Sequence, residues 1–190
     1  MKKTLLSLFA LAMSLTASAQ LTTTPEGKLI DNMYRSSDSW VKKGWIGKEP
    51  GKYEGLVSKI VEGKDGYLYV YNPLSGLDSK SWLKLEKVSN GTYKAVLPQA
   101  IYKDNDGGDD DDESVSTERV LMLNRMLNNG SDKYEVVSSD KNFMEFSWDG
   151  KTLKMLGVGK KDEMLALTYN NVLEGNYGDW GLTIERSEEH

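Results

Sequence analysis

Short runs rich in Tyr, Val, Leu, Ile, Trp and Thr recur along this chain, and between them stand the turn dipeptides Asp65-Gly66, Asn90-Gly91 and Asp149-Gly150. This rhythm constrains the fold more than any other feature: glycine behind Asn or Asp supplies the positive φ of a tight hairpin turn, and each run then needs a strand partner. In "GYLYVYNP" Tyr67, Tyr69 and Tyr71 fall on one face, with Leu68 and Val70 on the other. "WLKLEKV" and "TYKAVLPQAIY" flank Asn90-Gly91, and "FMEFSW" and "KTLKML" flank Asp149-Gly150, so each pair reads as a hairpin. "YEGLVSKIV" from Tyr53 and "EMLALTY" from Glu163 read as further strands. "STERVLMLNRMLNNG" carries both the helical spacing of Val120, Leu123 and Leu127 and the alternation of Leu121, Leu123, Arg125 and Leu127. We read it as a strand, because Asn129-Gly130 and "SDKYEVV" follow as a turn and return arm. Consecutive hairpins predict an all-β fold: an antiparallel meander closing into a lipocalin-like barrel, or a two-sheet sandwich. Closure would remove the exposed sheet edges.

The first residues, "MKKTLLSLFALAMSLTASAQ", have the form of an export signal: Lys2 and Lys3, an apolar stretch from Leu5 to Leu15, and the small-x-small site Ala17-Ser18-Ala19. We expect residues 1–19 to be a cleaved signal peptide and 20–190 a single β-rich domain in the periplasm, at the cell surface or outside the cell. The apolar stretch is shorter than the ~20 residues a spanning helix needs, so no transmembrane segment is expected. The chain has no cysteine, which excludes disulfides and thiolate metal sites. Removing Lys2 and Lys3 with the leader takes the formal charge from −5 to −7. The acidic run "DNDGGDDDDES" (104–114) holds seven carboxylates between Asp104 and Glu113, so the rest of the mature chain is balanced. With no basic stripe to neutralise phosphates, nucleic acid is not an expected partner.

The stretches "EGKDGYLYVYNPLSG", "SWLKLE", "LPQAIY", "FSWDGKTLKML" and "NYGDW" occur in this order between Tyr53 and Trp180. Together they resemble the N-terminal β-rich region of exported proteins of unknown function from Bacteroidetes. That resemblance implies a secreted or surface protein, with further modules often following this region. It brings no activity, cofactor or catalytic residue with it.

The only histidine is His190, the last residue, so Ser-His-Asp and Cys-His catalysis and histidine-based zinc sites are excluded. Paired carboxylates of the glycosidase type remain, with Glu54, Glu62, Glu145, Glu163 and Glu174 near apparent strands. A strand carboxylate is usually a solvent-facing residue, and we assign no catalytic residue, metal site or cofactor. The acidic run breaks the EF-hand spacing, since Asp104, Asn105 and Asp106 precede Gly107 directly. We expect a flexible, solvated loop over 104–114. Aromatic side chains offer the better recognition chemistry. Trp82 and Trp148, each beside a hairpin turn, are expected in the core. Tyr67, Tyr69 and Tyr71 are expected to line a barrel lumen or an outer binding surface, and Trp40, Trp45 and Trp180 are further candidates. The expected function is that of a non-catalytic binding or surface-interaction module for a glycan or small amphipathic ligand. The alternatives are a carboxylate-type glycan-acting enzyme and a structural adaptor at the envelope.

Overall fold

A computed structural model describes residues 21–105, 118–129, 133–157 and 163–188. Residues 1–20, with the expected signal peptide, and residues 106–114 of the acidic run, with its expected loop, lie outside the described residues.

The strands are β1 (Gly27–Lys42), β2 (Lys48–Gly63), β3 (Leu68–Tyr71), β4 (Trp82–Ser89), β5 (Thr92–Val96), β6 (Gln99–Asn105), β7 (Glu118–Asn128), β8 (Tyr134–Val136), β9 (Phe143–Trp148), β10 (Thr152–Met155), β11 (Glu163–Tyr169) and β12 (Val172–Arg186). The expected hairpins form. Ser89 pairs with Thr92 across the Asn90-Gly91 turn, where Gly91 has φ +76°. The ambiguous segment is the strand β7, and its return arm β8 pairs with it from Met126 to Asn128.

Eight strands close an antiparallel barrel in the order β1-β2-β3-β4-β5-β9-β10-β12, with β12 returning to β1. The chain thus closes as the hairpin rhythm predicts, although the ring is not sequential throughout: β5 pairs with β9 and not with β6. Strict alternation drives this arrangement. Leu83 and Leu85 of β4, Met144, Phe146 and Trp148 of β9, and Leu153 and Met155 of β10 point inward to one buried cluster. Between them the half-buried or exposed Lys84, Glu86, Glu145 and Lys154 face out. Phe146, Met33, Ile60, Leu68 and Leu85 are among the fully buried side chains, each worth about 1.5–3 kcal/mol of transfer free energy. The lumen is therefore a packed core and not a cup.

The sheet forks at β12. Thr183 to Glu185 lie beside β10 on the edge where, further back, Val172, Leu173, Gly178 and Asp179 lie beside β11. β11 leads on to β7 and β6. Two side-chain amides bridge the cleft of the fork. The Gln99 amide accepts from the Lys84 N–H at 2.9 Å and donates to the Lys84 carbonyl at 2.8 Å, imitating a strand between β4 and β6. Asn142 accepts from the Arg125 N–H at 2.9 Å and donates to Asn124 at 2.7 Å, and Asn124 in turn donates to Thr168 at 2.8 Å. Buried polar groups need such partners.

Candidate functional site

The three tyrosines stand on the outer face of the barrel wall, because Leu68 and Val70 between them belong to the core. They form a small outer cluster with Val61 and Trp82, built by the register of three adjacent strands. Val61 lies beside Tyr69, Tyr69 beside Lys84, and Tyr71 beside Trp82. The Tyr71 and Trp82 rings are 5.0 Å apart and tilted by 56°. Tyr69 is buried at the centre, and its hydroxyl donates to Asp65 at 2.5 Å. Burial first, and then this bond, push the Tyr69 phenol well above its usual range. The same bond holds the Asp65 carboxyl below its own. Tyr67 and Tyr71 are half-buried and keep part of their surface in water. Ammonium groups stand over both rings, with Lys84 Nζ 3.7 Å from the Tyr67 centroid and Lys59 Nζ 5.4 Å from that of Tyr71. Such cation–π contacts gain about 0.5–1 kcal/mol at exposed positions.

The candidate tryptophans are elsewhere and do not join this face. Trp180 is left over by a bulge, since Asp38 pairs with Gly181 and Ser39 with Asp179. The bulge sends Asp179 inward and Trp180 outward, where Trp180 is buried against Trp40, Met126, Met164 and Ala166. The Trp40 and Trp180 rings meet edge-on at 5.6 Å. These two serve as a second, outer core. Trp45 is fully exposed at the tip of the β1–β2 hairpin. Trp148 is buried in the main core, and its indole N–H donates to Glu62 at 3.2 Å. Trp82 is buried as expected, but under the outer tyrosine face and not in the lumen.

One end of the lumen is polar, which the sequence reading missed. Arg35 and Asp179 are 3 % and 0 % exposed, and Ser37, Ser39 and Ser58 are buried with them on β1 and β2. The β3–β4 connection folds across this end and carries Ser75, whose N–H and hydroxyl donate to Asp179 Oδ2 at 3.1 and 3.0 Å. Burial raises the Asp179 pKa, against the pull of Arg35 and the serine hydrogen bonds, and burial lowers that of Arg35. Arg35 Nε and Nη2 and Asp179 Oδ1 have no partner among the described residues. At the rim, Lys48 Nζ lies 2.9 Å from the Tyr177 ring centroid, and burial brings its pKa down to about 8. Perturbed groups often mark functional sites, but here the two charges are sealed from solvent, which makes them part of the barrel's internal structure.

The carboxylates considered for catalysis are spread over the molecule. Glu62 accepts from Trp148, Glu163 pairs with Arg125, and Glu174 lies 3.8 Å from Arg119. Glu54 and Glu145 are exposed on β2 and β9. Asp104, the first acidic residue of the run, is not in a loop: it lies within β6, pairs with Arg119 of β7 and accepts from its side chain at 2.8 Å. Two surface hollows lie among the described residues. One, of about 540 Å³, is bordered by Tyr34, Lys151, Glu185 and Arg186. The other, of about 300 Å³, is bordered by Asp38, Lys52, Glu54 and Lys154. The first is walled largely by charged side chains, and the second mixes charged residues with Tyr53, Met155 and Leu182. No protein-family model, curated protein or solved structure matches the chain.

Proposed function

We propose that this chain is a secreted, non-catalytic β-domain that binds carbohydrate on its outer wall, through the half-buried Tyr67 and Tyr71 and the ammonium groups of Lys59 and Lys84 above them, with Trp82 packed beneath. The observation that supports this reading most is the partly open aromatic face held against a filled lumen. Aromatic rings offer apolar area to the C–H face of a sugar at low entropic cost, and lysines beside them add donors and positive charge. Acidic sugars, such as uronates, fit that margin best. The buried Tyr69 fixes the platform from beneath through Asp65.

The test is a calorimetric titration of neutral and uronate-containing oligosaccharides into the chain from Gln20 to His190. We expect saturable binding to at least one acidic glycan. Tyr71→Ala should weaken it roughly tenfold, the scale of losing an interfacial aromatic anchor. Unchanged affinity in Tyr71→Ala, or binding to none of the glycans, refutes the reading. Turnover of any glycoside in the same panel would favour a carboxylate enzyme instead.

A further inference from the structure

The tip of the β1–β2 hairpin carries an apolar pair in full contact with water. Trp45 is 104 % exposed and Ile46 is 99 % exposed, the highest values among the large apolar residues described. Every other tryptophan is buried or half-buried. The tip is a formed turn: the Lys43 N–H donates to the Gly47 carbonyl at 2.9 Å, and the ribbon below is paired up to Lys42 and Lys48. Gly44 and Gly47 adopt φ +55° and +119°, and a methyl group placed on either would meet nothing within 4 Å. A convex apolar knob therefore projects into open space on a two-stranded arm. Beside it stand Lys42 and Lys43 against the single acid Glu49, which pairs with Lys43 at 2.8 Å, while Lys48 turns its ammonium inward over the Tyr177 ring.

We propose that this tip docks the protein on an anionic lipid surface, with Trp45 and Ile46 entering the boundary between headgroups and acyl chains. A convex knob gives no cavity for a small ligand, but a bilayer interface deforms around it. Tryptophan favours that depth because its ring is apolar while its N–H can remain at the headgroups. Lysine stems reach outward along such a boundary and leave their ammonium groups beside lipid phosphates. Two side chains bury little surface, so the attachment is weak and reversible and would hold a domain near a membrane without anchoring it permanently. This inference is independent of the tyrosine face, which lies on β3 and β4.

The experiment uses the chain from Gln20 to His190, which keeps every described strand. It is mixed with vesicles of phosphatidylcholine alone, or of phosphatidylcholine and phosphatidylglycerol in equal parts, and followed by sedimentation and tryptophan emission. We expect binding to the anionic vesicles, roughly tenfold stronger than to the neutral ones, with a blue shift of the emission. W45S/I46S should lose roughly tenfold or more of the binding and keep the parent melting temperature. W45F should retain binding and lose most of the spectral shift, because Trp45 is the exposed fluorophore. Equal binding by W45S/I46S, or no sedimentation of the parent with either vesicle, overturns the proposal. So does a parent dimer in sedimentation velocity that W45S/I46S dissociates, because the tip would then be covered by a second copy of the chain.

Discussion

Arg35 and Asp179 illustrate how a single buried charge depends on its surroundings. Both are almost fully removed from water, and the desolvation of either is offset only by the other's opposite charge and by the serines that hydrogen bond Asp179. Removing one partner leaves the other charge uncompensated, so Arg35→Ala and Asp179→Ala should each cost about 3–5 kcal/mol in chemical denaturation. The double variant Arg35→Met with Asp179→Leu should cost far less than the two single losses together, which a double-mutant cycle measures directly. Lys48 gives a pH signature. Its pKa in the fold is about 8, below the ordinary 10.5, so above pH 8 the unfolded chain keeps a proton that the folded one has released. Stability therefore rises between about pH 8 and 10. Tyr53 and Tyr69, whose folded pKa values are raised above 10, oppose the trend at higher pH. Thermal melts across this window should show the rise in the parent and not in Lys48→Met. Of the candidate site, alternation alone placed Tyr67, Tyr69 and Tyr71 on a shared face. It could not say which face looked inward, because Leu68 and Val70 opposite them are equally able to fill a core. Lys84 and Trp82 in "SWLKLE" share the tyrosine side by the same alternation, and that signal was there to be read.

Elements whose buried faces are apolar and whose turns are Asn-Gly or Asp-Gly were legible in the sequence, as β4, β5, β9 and β10 show. β1 and β12 were not recognised, although they close the barrel. Their inward faces carry Arg35, Ser37, Ser39 and Asp179 in place of an apolar series. Their alternation is also broken by the register shifts at Asn32, where φ is +56°, and at Trp180. A polar lumen end thus erases the pattern by which strands are found. The fork at β12 was equally hidden, since neither the Gln99 of "LPQAIY" nor Asn142 shows in sequence which backbone groups its amide meets. Gln99 nonetheless serves both backbone groups of Lys84. Gln99→Ala should leave a part-buried donor and acceptor unpaired and cost about 1–3 kcal/mol. Faster hydrogen exchange of the Lys84 amide, with little change at Leu85, would locate the damage at the fork. An unchanged denaturation midpoint would show that water replaces the amide there.

At the scale of the whole molecule, the barrel fills its interior with packing, and the proposed recognition is assigned to its wall. Apolar side chains and a sealed polar cluster fill the lumen. The outer wall bears Lys52, Lys59, Lys84, Glu86, Lys94, Glu145 and Lys154 in place of the apolar band of a lipid-facing barrel. On that wall Tyr67 and Tyr71, half-buried beside the buried Tyr69 and Trp82, form an aromatic cluster with two lysines over its rings. The central claim is therefore that ligand meets the outside of β2, β3 and β4. The direct measurement is a nuclear magnetic resonance titration of the isotopically labelled chain with the tightest-binding acidic oligosaccharide. Shifts confined to Lys59, Tyr67 to Tyr71 and Trp82 to Lys84 are the predicted result. Shifts centred on lumen residues such as Leu85, Phe146 and Leu153, or on the Arg35 and Asp179 end, would contradict it.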